Sequence, residues 1–104
     1  MSNPHFTYVL ASKPRGAMFV GVSDDLVNRV LDHKCNLVEG ITCRYAINQL
    51  VYYERHANHG AALEREQEIR NMHRIWKREL IEQHNPAWRD LYDDLVKAGA
   101  APAA

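Results

Sequence analysis

The sequence has no excess charge of either sign and no long apolar run. In its 104 residues, 13 Lys and Arg balance 13 Asp and Glu, so the formal net charge is zero. A neutral chain has no general attraction for a polyanion, so binding of nucleic acid would need a local basic patch. No apolar stretch approaches the roughly 18 residues of a membrane helix, so we expect no membrane span.

The start of the chain and its few cysteines indicate the cytoplasm. Residues 1–5 have neither the basic nor the apolar stretch of a secretory signal, which predicts a cytoplasmic protein. In that reducing compartment Cys35 and Cys43 are expected to be free thiols rather than a disulfide. Their spacing to the histidines fits no zinc-binding pattern, so no zinc site is predicted.

Length and composition predict one globular domain. The chain is 46% apolar and 25% charged, which is ordinary for a folded protein. Its length leaves no room for a second domain. We assign residues 1–97 to the domain and the small, uncharged residues 98–104 to a flexible C-terminal tail.

The residue patterns predict three strands and three helices in the order β-β-α-β-α-α. Aromatic and β-branched residues favour strands at 5–10, 17–22 and 50–53, with a Pro/Gly turn joining the first two into a hairpin. Helices are expected at 24–34 with Ser23 as N-cap, at 61–83, and from Pro86 to Val96 with Asn85 as N-cap. The fold class is therefore α+β: a small three-stranded antiparallel sheet flanked by helices. Gly21, inside the second strand, indicates close approach by another group.

The predicted second helix combines an apolar side with a basic run. Helical periodicity brings its apolar residues to one side; they are Ala62, Leu63, Ile69, Met72, Trp76 and Leu80. Arg65 falls inside the same arc, and the pattern gives no reason for its burial. Positive charge surrounds Trp76, which is typical of a solvated helix face or of a nucleic-acid contact; the residues are Arg70, Arg74, Lys77 and Arg78. Arg44, in the loop predicted for residues 35–48, is a weaker candidate for such a contact.

Two hairpin motifs and three helical residues follow one another in an order that resembles the GIY-YIG nuclease superfamily, in its short, single-domain bacterial form. Arg29 and His33 follow Gly21 by 8 and 12 residues and project from one face of the first helix. Their angles from its apolar stripe let both reach a surface groove. The residues that carry the resemblance are, in chain order, Phe6-Thr7-Tyr8, Phe19-Val20-Gly21, Arg29, His33 and Glu66, with further similar segments at Leu50–Glu54 and Asn85–Leu91.

The resemblance implies a GIY-YIG fold and a metal-dependent endonuclease that hydrolyses phosphodiester bonds of DNA. It implies that Glu66 binds one magnesium or manganese ion, a cation that accepts a single carboxylate and keeps several waters. Arg29 would clamp the phosphate with its planar fork. Tyr8 would orient water or phosphate, and His33 would relay a proton near neutral pH. The expected DNA contacts are Arg29, Arg44, Arg70, Arg74 and Lys77.

Phe19 departs from the family pattern, which has a tyrosine at this position. In the family that phenol is a candidate for the general base or for holding the attacking water, and phenylalanine keeps the ring without the hydroxyl. Because losing a general base costs roughly 10²–10⁴ in rate, we expect weakened cleavage. Two alternatives remain: a nucleic-acid-binding module that keeps the fold and lacks cleavage, and a structural or protein-interaction domain.

Overall fold

The computed structural model describes residues 4–35 and 44–97, which form one three-stranded antiparallel sheet with helices on both faces. The strands lie in the order β2-β1-β3; they are β1 (His5–Ala11), β2 (Met18–Ser23) and β3 (Gln49–His56). The helices are α1 (Leu26–Lys34), α2 (His59–Asn71), α3 (Arg74–His84) and α4 (Tyr92–Leu95). The predicted α+β class and antiparallel sheet are confirmed. The tail predicted at 98–104 and most of the loop predicted at 35–48 lie outside the described residues.

The central strand β1 is buried on both faces, and its alternating side chains divide the core in two. On one face Tyr8 and Leu10 pack with residues of α1 and α4. On the other, Val9 and Ala11 pack with Ile69 of α2 and with residues of α3. No helix in the described parts of the chain is long and apolar enough to cross a membrane.

Helix α1 begins at Leu26, two residues later than its predicted start. Asp25 is its N-cap and accepts a hydrogen bond from the backbone nitrogen of Asn28 at 3.5 Å. Ser23, the expected cap, instead accepts from the backbone nitrogen of Asp25 at 3.0 Å. The serine hydroxyl therefore shapes the turn before the helix and leaves the capping to the carboxylate.

The helix predicted at 61–83 is wrong as a single helix, because the chain is interrupted at Met72 and His73. Both residues have extended backbone, with ψ of 145° and 148°. The Nδ1 atom of His73 accepts from the backbone nitrogen of Ile75 at 3.2 Å and so starts α3. Met72 packs against the core at the break, so tertiary packing overrides the local helical preference. As a result Trp76, predicted on the apolar side, is 61% exposed.

The helix predicted from Pro86 to Val96 is also wrong over its first half, since only the single turn α4 is helical there. Asn85 is 4% exposed and is no N-cap. Its Nδ2 donates to the carbonyls of Val51 and Arg89 at 3.0 and 2.9 Å, and its Oδ1 accepts from the nitrogen of Arg89 at 3.0 Å. The side chain thus satisfies backbone groups of a turn and ties that turn to β3.

Asp90 completes this attachment of the C-terminal segment to the sheet. Its carboxylate accepts from the backbone nitrogens of Leu50 and Tyr92 at 3.2 and 3.1 Å and forms an ion pair with Lys34. The nitrogen of Leu91 donates to the carbonyl of Leu50 at 2.7 Å. The segment similar to those of the short family members therefore joins the start of β3 to the end of α1.

Candidate active site

The two hairpin motifs meet where the Tyr8 phenol lies over Gly21. The two residues are paired across β1 and β2. A Cβ atom added to Gly21 would lie 2.6 Å from the Tyr8 hydroxyl and 2.9 Å from the Phe19 ring. Real Cβ atoms do not come so close, so only glycine admits the phenol here, and the close approach predicted at Gly21 is confirmed.

His33 is buried against the two motif rings. Its ring centroid lies 6.5 Å from that of Tyr8 and 5.6 Å from that of Phe19, and the residue is 3% exposed. The expectation that His33 reaches a surface groove is therefore wrong, because rings from the sheet cover this side of α1. Arg29, one turn earlier on α1, is only partly buried.

Burial, modified by nearby charges, sets the protonation of Tyr8 and His33 at neutral pH. Burial raises the pKa of the Tyr8 phenol, the Arg29 guanidinium opposes the rise by hydrogen bonding and charge, and the Glu66 carboxylate adds to it. Burial and the nearby Arg29 lower the pKa of His33, with Asp32 opposing. Tyr8 therefore carries its proton at neutral pH, and the His33 imidazole is uncharged.

Glu66 projects from α2 with half of its carboxylate engaged. Its Oε1 forms an ion pair with Arg70 Nη2 and accepts a hydrogen bond from Gln67 Nε2, both at 3.3 Å, and its side chain is 12% exposed. Its Oε2 has no hydrogen-bond partner within residues 4–35 and 44–97. The expectation that Glu66 lies at the border of the core agrees with this burial. We call Tyr8, Arg29, His33 and Glu66 the cleft cluster.

A divalent cation fits this carboxylate only as a ligand that keeps most of its water. No group of three or more His, Cys, Asp or Glu side chains in the described part of the chain could hold a metal. Mg²⁺ is commonly bound through one or two carboxylates plus waters, so Glu66 with a vacant Oε2 meets that requirement. Ions that need a full set of protein ligands do not fit here.

Besides Arg29, four residues are predicted to contact DNA, and of these, within the ranges that the structure describes, only Arg70 contacts a member of the cleft cluster. Arg70 extends from Glu66 to the carbonyl of Val20, 3.3 Å from its Nη2, and so joins α2 to the edge strand β2. Arg74 and Lys77 lie in the first turn of α3, outside the cleft cluster. Arg44 is exposed just before β3, and no side-chain contact connects it to the cluster within the described residues.

Sequence reasoning missed the other residues of the cleft beside Arg29. Two of them are His5 at the start of β1 and His59 at the start of α2, whose rings lie edge to face with centroids 5.4 Å apart. No local pattern indicates them, because the sheet topology alone brings the two element starts together. This cleft is lined by His5, Val22, Ser23, Asp24, Arg29 and His59, so Arg29 is the member of the cleft cluster that lines it, and Tyr8, His33 and Glu66 lie behind its surface.

A second polar cluster, which we call the strand cluster, consists of Tyr52, Glu54, His56 and Arg65. The Glu54 carboxylate accepts from the Tyr52 hydroxyl, from Arg65 Nε at 3.0 Å and from His56 Nε2 at 3.1 Å. Burial opposes ionisation of Glu54, but these hydrogen bonds outweigh it and the pKa of Glu54 is lowered. The ion pair between Arg65 and Glu54 explains why Arg65 falls inside the apolar arc of α2.

One comparison with known proteins gives a match. A family model described as the GIY-YIG catalytic domain matches residues 4–79, a range that contains both hairpin motifs and the whole cleft cluster. No curated protein and no solved structure matches the chain.

Proposed function

The chain belongs to the GIY-YIG family, which implies a nuclease-type function on a nucleic acid, and we propose that it is a metal-dependent DNA endonuclease weakened by Phe19. The observation that carries the proposal is the convergence of Arg29 and Glu66 on Tyr8. Both charges act on the phenol, although one lies on α1 and the other on α2. The charges of a cation and a carboxylate thus both act at the hydroxyl that lies over Gly21, and a phosphodiesterase site can use these three groups.

Arg29 and Tyr8 act on the phosphate. The guanidinium is fully charged and partly exposed, so it binds two non-bridging oxygens and stabilises the charge that develops on them. Tyr8 keeps its proton because burial raises its pKa. It therefore acts as a hydrogen-bond donor and not as the base, and its 1% exposure restricts its access to phosphate and water.

Glu66 would hold one Mg²⁺ or Mn²⁺ ion through Oε2, with Arg70 fixing the other oxygen at 3.3 Å. An ion held by Glu66 would supply positive charge to the phosphoryl oxygens and would lower the pKa of bound water. Arg70 orients the carboxylate and also competes for its charge, so we expect weak affinity for the metal.

The general base is the weak point of this site. Phe19 has no hydroxyl, and its ring packs 5.6 Å from the imidazole of His33. His33 is neutral because burial and Arg29 lower its pKa, so it has a free proton-accepting form but is a weaker base than an ordinary imidazole. Its 3% exposure restricts access of water, so we expect slow cleavage.

Cleavage assays with a matched pair of variants test the proposal. Supercoiled, linear duplex and branched DNA are incubated with Mg²⁺ or Mn²⁺ and with the parent protein, Glu66→Ala or Glu68→Ala. Glu68 is the control, because it lies on the same helix with a side chain 63% exposed. We expect slow, metal-dependent cleavage that Glu66→Ala abolishes and Glu68→Ala retains. Equal cleavage by the parent and Glu66→Ala would contradict the role of Glu66.

Phe19 also favours a second candidate function, a nucleic-acid-binding module without cleavage. Such a module keeps Arg29 as a phosphate contact and needs no base. It predicts salt-dependent DNA binding by the parent with no products under any metal condition. Binding that is equally strong in Arg29→Ala and in the parent would contradict both candidates.

A further inference from the structure

The first turn of α3 presents two large apolar side chains to solvent. Trp76 is 61% exposed and Ile75 is 58% exposed, whereas the other tryptophan, Trp88, is 2% exposed. A continuous helix would have placed Trp76 on the buried side, so the interruption at Met72 and His73 puts the indole outside the core. An adjacent pair of this size at a helix start indicates a binding surface.

Positive charge flanks the pair on both sides, and the exposed acid Glu79, one turn later on α3, lies on the same face as the pair. Residues 70–78 carry four positive charges and no acid. Arg74 and Lys77, the two neighbours on α3, form no salt bridge with other residues of the ranges 4–35 and 44–97. Arg70, with a side chain 52% exposed, continues this surface to Glu66 of the cleft cluster.

This combination of charge and ring fits a nucleic acid better than a protein. Two exposed apolar side chains are far short of the roughly 800 Å² per partner that a stable protein interface buries. Self-association through a two-fold axis would bring like charges together. Phosphates match the free cations Arg74 and Lys77, and a nucleobase matches the flat indole of Trp76.

The geometry points to an unpaired base as the occupant of this surface. We propose that Trp76 stacks on an unpaired DNA base while Arg74 and Lys77 contact the adjoining phosphates. In a regular duplex the base faces are already stacked on one another, and opening a step costs a few kcal/mol. An unpaired base offers its face without that cost. The inference rests on the proposed function only in taking DNA as the nucleic acid, and it narrows the substrate to DNA that contains unpaired bases.

Affinity for single-stranded and duplex forms of one oligonucleotide tests the inference. Binding is measured by fluorescence anisotropy at low salt with EDTA, so that no cleavage is needed. Trp76→Ala is expected to lose about 5- to 100-fold in affinity for the single strand and less than about twofold for the duplex. Trp76→Phe, which keeps a stacking ring, is expected to retain most of the affinity. Leu31→Ala, at an apolar residue of α1 that is 40% exposed, is the control and should bind as the parent does.

Acrylamide quenching gives a second readout. Because Trp88 is buried, the quenchable emission comes from Trp76, and single-stranded DNA should protect it more than duplex does. Thermal melting followed by circular dichroism checks that each variant is folded.

Each of the following results would overturn the inference: unchanged single-strand affinity in folded Trp76→Ala, equal losses on single strand and duplex, or an indole that stays quenchable in the saturated complex. Failure of the parent to bind single-stranded DNA would do so as well. A change of oligomeric state in Trp76→Ala with DNA binding intact would assign the surface to self-association. If the parent binds single-stranded DNA and its Trp76 indole is protected from acrylamide, but it never cleaves DNA, the proposed endonuclease is contradicted. The present inference is then still supported.

Discussion

The cleft cluster and the strand cluster are built from the same four residue types, yet their carboxylates are bound differently. Glu54 of the strand cluster accepts from a tyrosine, an arginine and a histidine, and both of its oxygens are engaged. Glu66 of the cleft cluster is held at one oxygen by two contacts of 3.3 Å. Glu66 is nevertheless the more buried of the two side chains, at 12% against 19% exposed.

The difference lies in which elements carry the partners. The partners of Glu54 are on its own strand or on the helix packed beside it, so the cluster closes on itself. The members of the cleft cluster are divided between β1, α1 and α2, and the contacts of Glu66 are with Arg70 and Gln67 of its own helix, so the other members of the cluster do not close around its carboxylate. A closed set of hydrogen bonds stabilises the fold, whereas an open set keeps capacity for a ligand.

The largest expected effect comes from restoring the missing hydroxyl in the cleft. Phe19 is partly exposed, so the phenol of Phe19→Tyr can reach solvent while the ring keeps its packing. If that phenol supplies the base or holds the attacking water, the cleavage rate rises by about 10²- to 10⁴-fold. Single-turnover cleavage with Mg²⁺ measures the gain.

The double variant Phe19→Tyr/Glu66→Ala is the control for this gain and should return to background. The conservative change Tyr53→Phe, on β3, should leave the rate unchanged. No gain in a folded Phe19→Tyr protein would mean that the loss of this hydroxyl does not limit the reaction.

The sequence motifs could predict the residues of the cleft cluster but not those of the strand cluster. The resemblance to the family motifs indicated Tyr8, Arg29 and Glu66, because regular helices and a tight hairpin keep the offsets of such motifs fixed. The burial of His33 and the position of Trp76 depend on packing between distant elements, which periodicity within one element does not contain.

The strand cluster, whose hydrogen bonds close on Glu54, should contribute more to the free energy of unfolding than the cleft cluster. Glu54→Ala leaves Arg65 and the Tyr52 hydroxyl without their partner in a site that is about one fifth exposed. We expect a loss of about 2 kcal/mol in the free energy of unfolding, below the roughly 3–5 kcal/mol of a fully buried pair. Glu66→Ala, with two weak contacts, should cost less than about 1 kcal/mol.

Urea unfolding of both variants measures these values, and Glu68→Ala serves as the control at less than about 0.5 kcal/mol because that pair is exposed. The order predicted is Glu54 above Glu66 above Glu68. A larger loss for Glu66→Ala than for Glu54→Ala would reverse the assignment of the closed and open clusters.

The smallest predicted effect is a dependence of folding stability on pH, and it arises from the strand cluster. Burial and the Glu54 carboxylate raise the pKa of Tyr52 to about 12, above its usual 10.0. A raised pKa gives stability that is fully present below pH 10 and is lost as the pH rises through 12. Glu54 shows the opposite sign, since its lowered pKa gives stability above pH 4.5 that is lost at more acidic pH.

Tyr52→Phe separates this contribution from every other group that titrates in alkali. The variant should be less stable than the parent by about 1 kcal/mol at pH 8, the value of one hydrogen bond to a charged group in a partly exposed site. The difference should shrink between pH 10 and 12, because the unfolded parent ionises Tyr52 above pH 10 while the folded protein holds that proton up to about pH 12, and the variant has no such proton. Tyr8, whose pKa burial also raises, is present in both proteins and cancels. Unfolding by urea at pH 8, 10 and 11.5 measures the difference, and a gap that stays constant with pH would show that Tyr52 does not hold its proton through Glu54.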